Sequence, residues 1–147
     1  VADPLTIATR PATELVARFM GDNNIIRGTV AERDGDRLVV EDEQHVRASV
    51  RAPEAGKAVG DPAMIAIRAA AVIVDPNGST PATGVNSAEC EIVFVEFLGD
   101  LVKLHLLAGG ERMLAKVGAE QYPALRGREG ERIRISWKEE DVQLLDA

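Results

Sequence analysis

The chain reads as one strand pattern written twice. The first half runs through a strand ending at Glu32, then Leu38-Val39-Val40, Val46 to Val50, a Gly-containing loop, Ile65-Ala66-Ile67 and Val72-Ile73-Val74-Asp75. The second runs through Ile92 to Leu98, Leu101 to Leu107, Met113 to Val117, a Gly-containing loop, Ile133-Arg134-Ile135 and Val142-Gln143-Leu144-Leu145-Asp146. Each half carries about five short strands in one order, at a period of roughly 60 residues, and such a repeat constrains architecture before any single residue does. One half of that size buries only a marginal core, whereas two packed together bury far more. Short antiparallel strands with Gly turns favour small barrels, because closure removes open sheet edges.

The local signals agree. Asp34-Gly35 lies between the runs Gly28 to Arg33 and Arg37 to Asp42, a strong hairpin signal. Gln44 to Arg51 alternates, with Val46, Ala48 and Val50 on one face. Pro53 to Pro62 is a Gly- and Pro-rich loop, and Met64 to Arg68 and Ala71 to Val74 are strands separated by a small-residue bend. Asp75 to Ser87 is a longer polar stretch, either a linker or a long hairpin connection. Beyond it, Glu91 to Phe97 alternates, with Ile92, Phe94 and Glu96 opposite Val93, Val95 and Phe97. Gly109-Gly110 joins Leu101 to Leu107 with Glu111 to Val117, Tyr122 to Leu125 makes one helical turn, and Arg132 to Trp137 and Val142 to Leu145 close the chain. Ahead of all this, Ala12 to Met20 reads as a short amphipathic helix with Leu15, Val16 and Phe19 on one face. The expected fold is thus mainly β: OB-like barrels from two repeated sets of about five short strands, with a short N-terminal helix.

Composition bounds the chemistry. The 147 residues are 46% hydrophobic but only 3% aromatic, so the core must be built from Val, Ile, Leu and Ala. A net charge of -7 argues against a nucleic-acid partner, which needs clustered Lys and Arg. No apolar run approaches the ~20 residues that cross a bilayer, so no direct membrane insertion is expected, and no segment reads as a signal peptide. Cys90 is the only cysteine, which excludes an intrachain disulfide. Between Glu89 and Glu91 it reads as an inert strand residue in a reducing, cytoplasmic compartment.

Catalytic groups are not assembled in the sequence. No G-x-x-x-x-G-K-[ST] loop is present to cradle phosphates. His45 and His105 each lie in an expected strand without a second His or a carboxylate at ligand spacing, so solvent-facing or hydrogen-bonded strand residues are expected. Ser79, Ser87 and Ser136 have no base at a readable spacing, and Glu139-Glu140-Asp141 reads as a solvated turn. No catalytic, cofactor-binding or metal-binding residue is assigned. Trp137 is read as a surface or interface aromatic, a barrel lid in the plain reading and a stacking platform in the sharper one.

An ordered set of short motifs resembles a known family. Pro11-Ala12-Thr13, the run Leu15 to Gly21 and Asn24 resemble the junction that ends the ATPase domain of ABC-type import ATPases. Arg27-Gly28-Thr29-Val30, Ala66-Ile67-Arg68, Glu96-Phe97-Leu98-Gly99 and the segment from Gly130 to Leu145 resemble the strands that follow it, in order. The resemblance is to the transport-associated OB-like (TOBE) domain of the ATP-binding subunits of polyamine, ferric-iron and sugar importers. One departure stands out: Ala69-Ala70 replaces the family's Pro-Glu after Ile-Arg.

The resemblance implies a non-catalytic regulatory and dimerisation domain that couples an ATPase dimer to regulation. The alternative is a small-ligand module that senses an oxyanion or a polyamine. Residues 1–21 would belong to the ATPase domain's last helix and junction, and 22–147 to the regulatory β region, with halves at 22–75 and 88–147 and a loop at 76–87. Since the chain begins with Val1 rather than Met, a fragment of a longer chain is expected. Leu15, Val16 and Phe19 would pack on the ATPase domain or on a second copy. The implied partners are a second copy, the parent ATPase domain and the membrane permease subunits. No cofactor is expected here; ATP and Mg belong to the parent's missing domain. The implied location is cytoplasmic, peripheral to the inner membrane.

Overall fold

The computed structural model describes residues 22–43, 45–52, 56–76 and 86–145. The expected helix at Ala12 to Met20 lies outside the described residues, as do Leu15, Val16 and Phe19.

Among the described residues, ten strands form two curled five-stranded antiparallel sheets. They are β1 (Asn23–Asp34), β2 (Arg37–Glu41), β3 (Arg47–Arg51), β4 (Pro62–Arg68), β5 (Ile73–Asp75), β6 (Ser87–Phe97), β7 (Leu101–Ala108), β8 (Glu111–Gly118), β9 (Arg132–Ser136) and β10 (Val142–Leu145). A single helical turn, α1 (Tyr122–Leu125), lies between β8 and β9. One sheet has the order β10-β4-β1-β2-β3 and the other β5-β9-β6-β7-β8. The mainly β, OB-like expectation from a doubled strand set holds.

Matching the strands of the two halves in order makes these two sheets identical, except that the fifth strands are exchanged. β5 ends the first half yet pairs with β9, and β10 ends the second yet pairs with β4. The register repeats as well. Val30 pairs with Val40 as Ile92 pairs with Leu106, and both first strands then bulge, at Ala31 and at Val93. Gly28 faces Ala63 as Cys90 faces Ile133, and Arg37 faces Arg51 as Lys103 faces Lys116.

The larger aliphatic core among the described residues runs through both sheets, from Ile26, Leu38, Val40 and Ile65 to Cys90, Leu104, Leu106 and Ile135, and a small second cluster holds Ala66 and Leu145. Each such side chain, fully buried, contributes about 1.5–3 kcal/mol of transfer free energy. Because the core is shared, neither half can present a complete apolar interior alone.

Several details depart from expectation. Ala69–Ala71 is a 3-10 turn, so β5 starts only at Ile73. β6 does not alternate throughout, because its bulge leaves Val93 and Phe94 exposed together. His45 sits outside any strand, with φ 64, in the turn where Asp42 accepts from the amides of His45 and Val46. Trp137 is not a surface aromatic. It is 3% exposed, because its indole packs into the core and its Nε1 donates to Asn86 Oδ1 at 2.9 Å.

Candidate functional site

A cleft of about 640 Å³ opens where β1 of the first half meets β6, β7 and β8 of the second. Asn23, Asn24 and Ile25 form one side, and Val93, Phe94 and His105 form another. The bulge in β6 creates the apolar part. By inserting one residue it turns Val93 and Phe94 outward, and Phe94 is left 51% exposed. His105 faces Phe94 across the β6–β7 ladder, with ring centroids 5.4 Å apart. Its Nε2 lies 3.1 Å from Glu96 Oε1. The carboxylate that the linear spacing around His105 did not show thus comes from the neighbouring strand. Further along β6, Phe97 and Leu98 are also exposed, and Phe97 stacks on Tyr122 at 4.6 Å.

Next in sequence to the cleft's Asn23 lies a charged cluster. Asp22, just ahead of β1, places Oδ2 at 3.0 Å from Lys103 Nζ and 2.9 Å from Lys116 Nζ. Hydrogen bonds from Lys116 and then Lys103 hold its carboxyl below the usual value of 3.8. Two residues on, and on the same face of the strand, Asn24 reaches the free edge of β8. Its Nδ2 donates to Leu114 O at 2.9 Å, and its Oδ1 accepts from Leu114 N at 2.6 Å. An edge residue that would otherwise offer an open donor and acceptor is thereby closed.

The edge strand of the other sheet, β3, is met by Asn86. Asn86 Oδ1 accepts from Ser49 N on β3 at 2.9 Å, and Nδ2 donates to Ser49 Oγ at 2.8 Å. Ser49 Oγ donates in turn to Glu139 Oε2 at 2.7 Å, and Glu139 is held by Arg37 Nε at 2.7 Å and Arg51 Nε at 3.5 Å. Glu139 is therefore no free acid in a solvated turn but the anion between two arginines.

Cys90 is buried in β6, and its thiol is pushed up to about 12, first by burial and then by Glu89, with Arg132 opposing. A thiol in that state is protonated and inert at neutral pH. Among the described residues, no group of three or more His, Cys, Asp or Glu is placed to hold a metal ion. No helix among them is long and apolar enough to cross a membrane. What the described residues form here is an open cleft, apolar at Val93 and Phe94, that joins both halves.

Comparison with known proteins agrees with that architecture. Residues 65–145 match the TOBE domain family. The chain is 31% identical over 140 residues to the spermidine/putrescine import ATP-binding protein PotA of Rubrobacter xylanophilus, covering 93% of this chain and 35% of that protein. It is 26% identical over 150 residues to the putrescine transport ATP-binding protein PotG of Escherichia coli K12, covering 99% of this chain and 38% of that protein. The chain therefore spans little more than a third of the length of these relatives. Among solved structures, the cytoplasmic molybdate-binding protein ModG, in a molybdate-bound form, superposes with a TM-score of 0.72 over 84% of this chain and 96% of that one. At 17% identity, that likeness speaks for the fold.

Proposed function

This chain belongs to the TOBE domain family, and from that premise we propose that it is the non-catalytic regulatory and dimerisation part of an ABC import ATPase subunit of the polyamine type. The observation that carries the reading is the alignment. Nearly the whole chain follows PotA, yet it accounts for only 35% of that protein and contains no phosphate-binding loop. ATP and Mg would then be bound by the remainder of the parent, and the permease subunits would be reached through it. The place of work is the cytoplasmic face of the membrane.

In this reading the chain works by contact. The apolar cleft at Val93 and Phe94 is the surface through which it would meet its neighbours. A signal then passes as a coupling free energy between this surface and the ATPase domain. The test is the parent subunit with and without residues 22–147. Loss of effector control with ATP hydrolysis retained is expected; loss of hydrolysis itself would mean that the region belongs to the catalytic body. Sedimentation of the present chain tests dimerisation, and a strict monomer at high concentration would overturn that part.

A second reading, a small-ligand sensor, is supported by the shared fold with a molybdate-binding protein and by an open cleft between the halves. A ligand that binds only the folded state raises the melting temperature. A thermal-shift series with molybdate, phosphate, putrescine and spermidine separates the readings, because a pure contact module is moved by none of them.

A further inference from the structure

The register equivalence between the halves pairs Arg37 and Arg51 with Lys103 and Lys116. At both places two cations face each other across the edge hairpin of a sheet, and at both a carboxylate closes the pair. The carboxylates come from different sources. Glu139 belongs to the 3-10 turn that carries the chain from β9 into the exchanged strand β10. Asp22 lies just ahead of β1. Each clasp is coupled to an asparagine that closes the same hairpin's edge strand: Glu139 to Asn86 through the Ser49 hydroxyl, and Asp22 to Asn24 through two residues of backbone.

The geometry points to a latch. Asp22 is a positioning residue: its hold on Lys103 and Lys116 keeps Asn24 on the edge of β8. An extended strand advances about 3.3 Å per residue, and two residues of backbone leave little slack between the two side chains. Lys103 and Lys116 lie on β7 and β8, whereas Asp22 and Asn24 belong to the first half. Moving Asp22 out of the lysine pair therefore pulls on the two bonds to Leu114. A partly exposed ion pair of this kind is weak, as a reversible latch requires. The inference concerns the chain's own mechanics and stands whether or not the proposed function does.

Amide hydrogen exchange of the full chain tests it, reading Leu114 against Ser49. Asp22→Asn is expected to speed exchange at Leu114 about fivefold and to leave Ser49 within about twofold, since local opening is resolved residue by residue. Glu139→Gln is expected to do the reverse. Because Asp22 acts through Asn24, adding Asp22→Asn to Asn24→Ala should change Leu114 no further. Asp22→Glu, which keeps the charge, should restore most of the protection. Unchanged Leu114 exchange in Asp22→Asn, equal acceleration at Leu114 and Ser49, or additive effects in the double variant would each overturn the latch.

Discussion

Asn24 and Asn86 hold equivalent places in the two halves, and each closes the edge strand of the sheet that the other half supplies. Asn24 takes both backbone groups of Leu114 on β8, while Asn86 takes the amide and hydroxyl of Ser49 on β3. Together with the exchanged fifth strands, these two side chains turn a pair of open sheets into one closed body.

Asn86 carries more than its counterpart. Its Oδ1 also accepts from Trp137 Nε1, and its backbone sits at φ 59, which asparagine tolerates better than most residues. Asn86→Ala leaves the indole N–H and the Ser49 amide without their acceptor. A loss of about 2–4 kcal/mol is expected, against about 1–3 for Asn24→Ala. Urea unfolding followed by the fluorescence of Trp137, the only tryptophan, measures both. Equal losses would mean that the indole bond adds nothing.

Gly28 is expected to be the least replaceable glycine of the first sheet. A Cβ there would run into the carbonyl oxygen of Glu41, and that oxygen is backbone, so it cannot swing aside. Gly28→Ala should destabilise by more than about 2 kcal/mol, as overpacking against a fixed neighbour does. Gly56→Ala is the control, since nothing lies within 4 Å of a Cβ at that position and no left-handed φ is involved. Thermal melts of the two variants decide the point, and similar melting temperatures would refute it.

How far this could be read in advance follows from what alternation encodes. Period two tells which face of a strand is buried, and Val142–Leu145 and Tyr122–Leu125 were legible to the residue. It does not tell which neighbour a strand takes, so alternation alone leaves open whether β5 and β10 are exchanged, although the repeat itself is plain. Trp137 was misjudged for the same reason: its partner, Asn86, lies in another strand's approach rather than nearby in sequence. The His105–Glu96 pair likewise depends on the β6–β7 register and its bulge. The echo extends back to Asn24 and Asn86, and a polar residue repeated ahead of two matching apolar strands hints at a structural bond.

Cys90 tests the packing of the shared core. With its thiol pushed up to about 12 by burial, it should not react with a disulfide reagent at pH 8 in the folded chain and should react at once in denaturant. Cys90→Ser places a hydroxyl among Ile92, Ile133 and their neighbours and should cost about 1–3 kcal/mol. Rapid labelling of the native chain would show that β6 opens readily.

Asp22 should make stability depend on pH in a known direction. Its carboxyl is held below 3.8 in the folded chain by Lys116 and Lys103, so the folded state favours the ionised form. The unfolded chain therefore takes up a proton first as pH falls, and the contribution of this group is present above the ordinary carboxylate value and lost on the way down through the folded one. The clasp is partly exposed and screened by water, so the contribution is under about 1 kcal/mol. Wild type and Asp22→Asn should then differ by that amount at pH 6 and converge as the solution is acidified until the folded carboxyl is protonated as well. Salt at about 1 M should shrink the difference at pH 6, because it screens the lysines from the carboxylate. A gap between the two proteins that is constant across this range, or one that widens in acid, would show that the lysines do not hold the Asp22 carboxylate in solution.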